Sequence, residues 1–537
     1  MAIRLDAQIE WPAPTRWQAM SGALPDARIE WPPPTRWLAA TGEPDGACAT
    51  LRSVSDDSTS TRAGRRAPVT RSKPAVLTAA ELARITSGRL LRDSRRPIHG
   101  AAVDSRQVRP GELFVALPGA RTDGHRFLRE AVTAGAAALL VAVEPDGPSL
   151  AAIGDVTVVI CPDPLAGLQA LAADWRRRFD PFVVGVTGSI AKTSTKEAIA
   201  TVLSARGRTL RSEGNQNNEI GLPLTILRMN ADHVHAVLEM GMYVGGEIAT
   251  LARLARPRVG VVTAVLGVHL SRIGSIDAIE AAKAELVEAL PSDGVAVLNA
   301  DDARVRRMAG RTAARSMTYG FAADADVRAD HVRSAGRAGM RFRLRASTEG
   351  GPVSLPASIP GLGRLSVHNA AAAAAVGLVA GMTLDEIVDA LAHGWSAPHR
   401  GEVLEAGGIT IVDDSYNASP ASMAAALELL AGLPGRHVAV LGEMLELGDA
   451  AAAGHREVGM AAAATDLLVA VGPGAAGIAE GARAAGLRAR SIIEVPDRAA
   501  ALGMLRERLE PGDVVLVKAS RGAELDLLVD ALRASLG

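Results

Sequence analysis

The sequence predicts an α/β protein with a mostly parallel sheet, on three observations. From about residue 76 onward, apolar strand-like runs alternate with segments of helical spacing. One junction between such a run and a helix, GVTGSIAKTSTKE at 185–197, has the glycine-bearing form of a phosphate loop. The chain, at 537 residues and 48% apolar, can bury more than one core, so about three domains are expected.

Taken from the N-terminus, the first 75 residues stand apart. IEWPAPTRW at 9–17 recurs as IEWPPPTRW at 29–37, carries four of the six tryptophans, and leads into SVSDDSTSTRAGRRAPVTRSKP. Two copies are too few to stack into a solenoid. Proline density and the polar tail predict a disordered arm, with a partner-binding role as the sharper alternative. Next, TAAELARITSG reads as a capped helix, AAVDSRQVRPGELFVALPG and AALLVAV as strands divided by turn chemistry, and HRFLREAVTAGA as a helix between them. The alternation continues through FVVGVTG, AVLEMG, VGVVTAV and GVAVLNADD, and IEAAKAELVEAL has helical apolar spacing. In such sheets ligands gather at the carboxyl ends of strands. That rule singles out Gly188 to Thr193, Glu239, His269, and Asn299 with Asp301.

In a phosphate loop, backbone N–H groups and a helix N-terminus cradle the phosphates, a lysine supplies a compact charge, and the next hydroxyl reaches Mg²⁺. Lys192 and Thr193 hold those two places. Ala191 stands where glycine normally precedes the lysine. Alanine there costs about 1 kcal/mol if φ is positive and little if φ is negative. Only five of the 58 basic residues are lysines (Lys73, Lys192, Lys196, Lys283 and Lys518), so lysine marks positions where arginine's wide, permanently charged fork does not serve. Glu239, a carboxylate at a strand end beside the loop, suits Mg²⁺, whereas an isolated histidine such as His269 is by itself more often structural. A net charge of −1 gives no footprint for nucleic acid, and Cys48 and Cys161 make neither a disulfide framework nor a zinc site. No run is long and apolar enough to span a membrane, and the N-terminus lacks a signal peptide's apolar stretch, so the cytoplasm is the expected location.

Longer motifs add a resemblance. DSRQVRPGELFVALPGARTDGHRF looks like a uridine-nucleotide-binding motif; GNQNNEIGLPLT, EMGMYVGGEIATLA and HLSRIGSIDAIEAAKAEL look like parts of an ATPase domain; VDDSYNASPASMAAAL, LGEMLELG, HREVG and VLVKASRGAELD look like parts of a third. Over roughly 76–537, and in this order, they resemble the Mur ligases, which build the peptide stem of bacterial cell-wall precursors. The resemblance implies a UDP-substrate-binding domain at 76–178, a central P-loop ATPase domain at 179–397 and a Rossmann-like C-terminal domain at 398–537. It also implies that ATP phosphorylates the terminal carboxylate of UDP-N-acetylmuramoyl-tripeptide and that the amine of D-alanyl-D-alanine displaces phosphate, a step in peptidoglycan synthesis and hence in cell shape and division.

Roles follow from the resemblance position by position. Gly188, Ser189, Ala191, Lys192, Thr193 and Ser194 would hold the nucleotide phosphates. Thr193 and Glu239 would serve a first Mg²⁺, and His269 with Lys283, matching a carbamylated lysine of the family, a second. Asn299 and Asn369 resemble nucleoside contacts, and Arg400, Asp414 and Asn417 resemble third-domain groups that close onto the nucleotide. Ser105, Arg106, Asp123, Gly124 and His125 would hold the uridine diphosphate end, with Asn218 also facing substrate. Lys518, Ser520 and Arg521 match a motif that is structural or substrate-facing. Ile190-Ala191, Ser194 and TAVLGVHLSRIGS depart from the family pattern. The competing readings are the diamino-acid-adding ligase, a folylpolyglutamate synthetase, and a binding homologue without catalysis. The first lacks support because no Asp-Asn-Pro-Arg motif occurs, the second because a uridine motif is present, and the third because Lys192, Glu239, His269 and Lys283 are all retained.

Overall fold

The computed structural model describes residues 76–119, 122–267, 273–348 and 350–537. The N-terminal arm with its repeat, and His269, lie outside them. Three sheets follow one another along the chain, each with its own helices, as the α/β pattern requires.

The first sheet contains β1 (Arg89–Arg92), β2 (Ala101–Ala102), β3 (Leu113–Val115), β4 (Ala138–Val141) and β5 (Thr157–Ile160), in the order β1-β5-β4-β3-β2. All pairs are parallel except β1 with β5. The helix Ala79–Ile85 begins with a capping box: Thr78 accepts from the Glu81 N–H while the Glu81 carboxylate accepts from the Thr78 N–H. The helix Pro164–Arg176 carries the core onward. Its Leu168, Leu171 and Trp175 pack in one cluster with Leu222, Leu224 and Ile226 of the helix Gly221–Leu227, and the Trp175 indole donates to the Met229 carbonyl at 2.9 Å.

The second sheet has nine strands: β6 (Phe182–Thr187), β7 (Thr209–Arg211), β8 (His235–Glu239), β9 (Val259–Val262), β10 (Val295–Asn299), β11 (Arg315–Gly320), β12 (Val327–Ser334), β13 (Met340–Thr348) and β14 (Gly351–Ile359). Their order is β14-β13-β12-β11-β10-β9-β6-β8-β7. Strands that follow β6 lie on both sides of it, so the crevice beyond its carboxyl end is a switch point, where α/β folds place ligands. The sequence reading did not separate out the ribbon β12–β14, whose two strand pairs are antiparallel. In β13 burial alternates strictly: Phe342 and Leu344 turn inward, Arg341, Arg343 and Arg345 outward. Pro352 and Pro356 on the edge strand β14 remove ladder donors and discourage pairing with another chain.

Two helices pack together behind β6. Ala370 to Ala375 of the helix Gly363–Val379 are all buried, and these small side chains admit the phosphate-loop helix Lys192–Ser204 at close range. A Cβ at Gly377 would lie 2.9 Å from Val202 Cγ1.

The third sheet contains β15 (Glu402–Ala406), β16 (Ile409–Asp413), β17 (Arg436–Gly442), β18 (Leu467–Val471), β19 (Ile492–Val495) and β20 (Asp513–Lys518), in the order β15-β16-β20-β17-β18-β19. Only the β15–β16 pair is antiparallel. Among the described residues no helix is long and apolar enough to cross a membrane.

Candidate active site

The phosphate loop is built by fastening the end of β6 to the end of β9. Gly188 has φ +152°, and a Cβ there would sit 1.8 Å from Thr263 Oγ1, so only glycine fits. Ser189 N–H donates to the Ala264 carbonyl at 2.8 Å, its hydroxyl donates to the Leu266 carbonyl at 3.0 Å, and Thr263 donates to the Ile190 carbonyl at 2.6 Å. The loop is therefore pre-shaped by its neighbours. Ala191 has φ +64° and ψ 0°, left-handed, at the N-cap of the helix Lys192–Ser204. The strained branch of the sequence expectation thus applies, at about 1 kcal/mol. No side chain caps this helix, which leaves its first N–H groups available to an anion. Ser194 lies half-buried in the first turn.

Lys192 Nζ donates to the Gly188 carbonyl at 2.8 Å, folding the ammonium over the loop. Burial pushes its pKa down, the Glu239 carboxylate pulls it back up, and the Arg400 guanidinium pushes it down again. The charge of Arg400, next to the third sheet, is thus felt at Lys192.

Glu239 closes β8 and is 2% exposed. One carboxylate oxygen accepts from Thr193 Oγ1 at 2.8 Å, the other from Asn217 Nδ2 at 2.8 Å, and its N–H donates to Ser212 Oγ at 3.1 Å. Sequence reasoning missed Asn217 and chose its neighbour. Asn218 instead accepts from the N–H groups of Ile220 and Gly221, shaping the start of the helix Gly221–Leu227. Thr193 and Glu239 offer two hard oxygen donors in contact at the loop mouth, a donor set that fits Mg²⁺.

Lys283 lies on the helix Ile276–Glu288 and is 3% exposed. A solvated pair with Glu280 or Glu285 is excluded: Glu280 binds Arg304 and Arg307, and Glu285 accepts from the N–H groups of Gly246 and Ala249. Burial pushes the Lys283 pKa well below its ordinary value, and the Lys192 charge pushes it further the same way. The side chain is driven toward the neutral amine.

Asn299, at the end of β10, donates to the Thr263 carbonyl at 2.7 Å and accepts from the Asp301 N–H at 2.8 Å. Its Oδ1 is also 3.0 Å from His368 Nε2, a residue the sequence did not mark. Asn369, buried, accepts from Thr195 Oγ1 at 3.0 Å, which ties it to the phosphate helix.

In the third domain Lys518 Nζ donates to Asp414 Oδ2 at 2.6 Å and to the Asn417 carbonyl at 2.9 Å. Burial raises the Asp414 pKa against the opposing pull of Lys518 and Arg400. The Arg400 guanidinium lies over the Tyr416 ring at 4.0 Å and that of Arg521 at 4.8 Å. Ser520 accepts from the Leu445 N–H at 2.8 Å.

The residues expected to hold uridine diphosphate gather at the carboxyl ends of β2, β3 and β4. Asp104 caps the turn Ser105–Gln107 and binds the Arg106 side chain through both oxygens, at 2.9 and 2.7 Å. His125 Nε2 accepts from the Ala142 N–H at 2.8 Å, so Nδ1 carries the proton toward Asp123 Oδ1 at 2.6 Å. A Cβ on Gly124 would meet the Leu117 nitrogen at 2.8 Å.

Three family descriptions match the chain in order: Mur ligase family, catalytic domain, over 97–176; Mur ligase middle domain over 186–377; and Mur ligase, glutamate ligase domain over 399–521. The UDP-N-acetylmuramoyl-tripeptide–D-alanyl-D-alanine ligase of Mycobacterium tuberculosis is 39% identical over 507 residues, covering 85% of this chain and 97% of its own. Among solved structures, MurF from Acinetobacter baumannii has a TM-score of 0.74 at 28% identity, covering 86% of this chain and 99% of its own. The MurF ligase of Thermotoga maritima, solved in complex with ADP, has a TM-score of 0.70 at 29% identity, covering 82% and 98%.

Proposed function

The chain belongs to the Mur ligase family, and from that membership we propose that it joins D-alanyl-D-alanine to UDP-N-acetylmuramoyl-tripeptide, converting ATP to ADP and phosphate, in peptidoglycan precursor synthesis. The observation that carries the reading is a match over 97% of the length of a relative named for that reaction. The Lys192, Thr193 and Glu239 geometry at the end of β6 supports it from the chemical side.

The uncapped N-terminus of the helix Lys192–Ser204 and the Lys192 ammonium receive the β- and γ-phosphates. A tripeptide carboxylate oxygen attacks the γ-phosphorus, ADP leaves, and an acyl phosphate forms. The D-alanyl-D-alanine nitrogen attacks the acyl carbon, phosphate departs with the former carboxylate oxygen, and the nitrogen gives up a proton. Lys192 and Arg400 offset the charge that accumulates when two anions are brought together. Thr193 and Glu239 would hold one Mg²⁺, and His269 with Lys283 a second; the metal would supply further charge neutralisation. The neutral Lys283 amine adds CO₂ and releases a proton, becoming an anionic carbamate suited to that second position.

Asn299 and Asn369 would contact the nucleoside, Asp414 and Asn417 would close onto the nucleotide from the third domain, Ser105, Arg106, Asp123, Gly124 and His125 would hold the uridine diphosphate, and Asn218 would face substrate. Domain boundaries fall near 178 and 397, in the connections between the three sheets. The reaction belongs in the cytoplasm, and the tryptophan-bearing repeat of residues 1–75 would serve a weak protein partner. ADP release with UDP-linked tripeptide tests the assignment: it rises with D-alanyl-D-alanine, and release that ignores the dipeptide refutes it.

A further inference from the structure

His399 is a residue the reaction leaves unused. It lies in the connection from the helix Leu384–Ala392 to β15, where the chain passes from the second sheet to the third. Its φ is +59°, a left-handed conformation uncommon among residues other than glycine.

Two bonds hold it there. Its Nδ1 is 2.8 Å from Asp413 Oδ2, and its carbonyl accepts from the Tyr416 N–H at 3.0 Å. Asp413 is itself fixed: it is 1% exposed at the end of β16, and its other oxygen accepts from Ser415 N–H at 3.1 Å and Ser415 Oγ at 2.5 Å. The next residue along the chain is Arg400, stacked on the same Tyr416. Asp413 and Asp414 are consecutive at a strand end and therefore point to opposite faces. Asp413 takes His399 on one face, while Asp414 takes Lys518 on the other, within the field of Arg400.

We propose that His399, tied through its ring to Asp413, is a positioning residue that sets the backbone from which Arg400 reaches the phosphate loop. The inference rests on the reading of Arg400 as a nucleotide-facing group. An untethered histidine would leave the left-handed region, and Arg400 would swing with it. The ring, not the conformation alone, is what counts: glycine at 399 keeps the conformation available but loses the tether, while asparagine tolerates it and offers Asp413 an amide donor.

The test is a set of four variants of the full chain, assayed for kcat and KM in ADP release. Arg400→Ala lowers kcat. His399→Gly lowers kcat by about ten- to a hundredfold, the range for a misplaced catalytic contact, with little change in the KM for UDP-linked tripeptide. His399→Asn recovers most of the loss. His399→Gly combined with Arg400→Ala is no slower than Arg400→Ala alone, because both changes remove one contact. Wild-type kcat in His399→Gly, or losses that multiply in the double variant, overturns the positioning role. Wild-type kcat in Arg400→Ala overturns it as well, by removing the group being positioned. Parent protein whose ADP release ignores D-alanyl-D-alanine instead marks a failure of the assigned reaction.

Discussion

At the scale of single residues, Ala191 shows how much of the loop's shape is imposed from outside. Its left-handed backbone is held by the bonds that fasten Ser189 and Ile190 to the end of β9, so alanine survives where glycine is the easier choice. Ala191→Gly should therefore raise the thermal midpoint slightly, by a net gain of no more than about 0.6 kcal/mol once glycine's extra chain entropy is subtracted from a strain of about 1 kcal/mol. A midpoint below the parent's would show that the methyl group is not strained. Lys283 makes the complementary point. Buried, without a carboxylate partner among the described residues and depressed in pKa, it is unsuited to act as a cation. Lys283→Ala should lose turnover and regain part of it in formate or acetate under saturating Mg²⁺, and full activity without added acid would eliminate the carbamate role. Both positions were legible in the sequence, because lysine is rare here and glycine is expected at 191. Asn217 was not. Two adjacent asparagines are indistinguishable until the turn decides which one faces Glu239.

Among the elements, the phosphate helix is braced at both ends. Its N-terminus is open to ligand, while beyond its C-terminus Arg206 binds Glu386 at 3.0 and 2.6 Å. Glu386 also completes the capping box of the helix Leu384–Ala392 with Thr383. These bonds, with Arg206 first and the Thr383 N–H second, hold the Glu386 pKa down at about 2. A depressed carboxylate contributes stability that is present above its unfolded pKa and lost as pH falls through the folded one. The destabilisation caused by Glu386→Gln should therefore be constant at neutral pH and shrink between pH 4.5 and about 2. Thermal midpoints of both proteins across that range check this, and a gap that widens on acidification contradicts it. The parallel strands were readable because each is a short apolar run bounded by turn chemistry. The ribbon β12–β14 was not, since its apolar residues alternate with arginine and its identity as a sheet extension depends on the following helices, Gly363–Val379 and Leu384–Ala392, folding back to cover one face. The His368–Asn299 and His399–Asp413 pairs, 69 and 14 residues apart, likewise exist only in the fold.

On the scale of the whole molecule, three sheet domains bring a strand-end phosphate loop, a third-domain arginine and the residues expected to hold uridine diphosphate into one chain, and none of these alone makes an amide bond. Residues 1–75 show no periodic apolar pattern, so their deletion should leave ATP-dependent ligation intact. A folded truncation without activity would assign the tryptophan repeat to the working enzyme. The central claim is that a peptide carboxylate is activated by phosphorylation before the amine attacks. The most direct measurement uses UDP-linked tripeptide carrying ¹⁸O in its terminal carboxylate, with ATP and D-alanyl-D-alanine, followed by mass analysis of the released phosphate. The account predicts that each phosphate released carries one oxygen from the peptide. Unlabelled phosphate alongside normal amide product would contradict it.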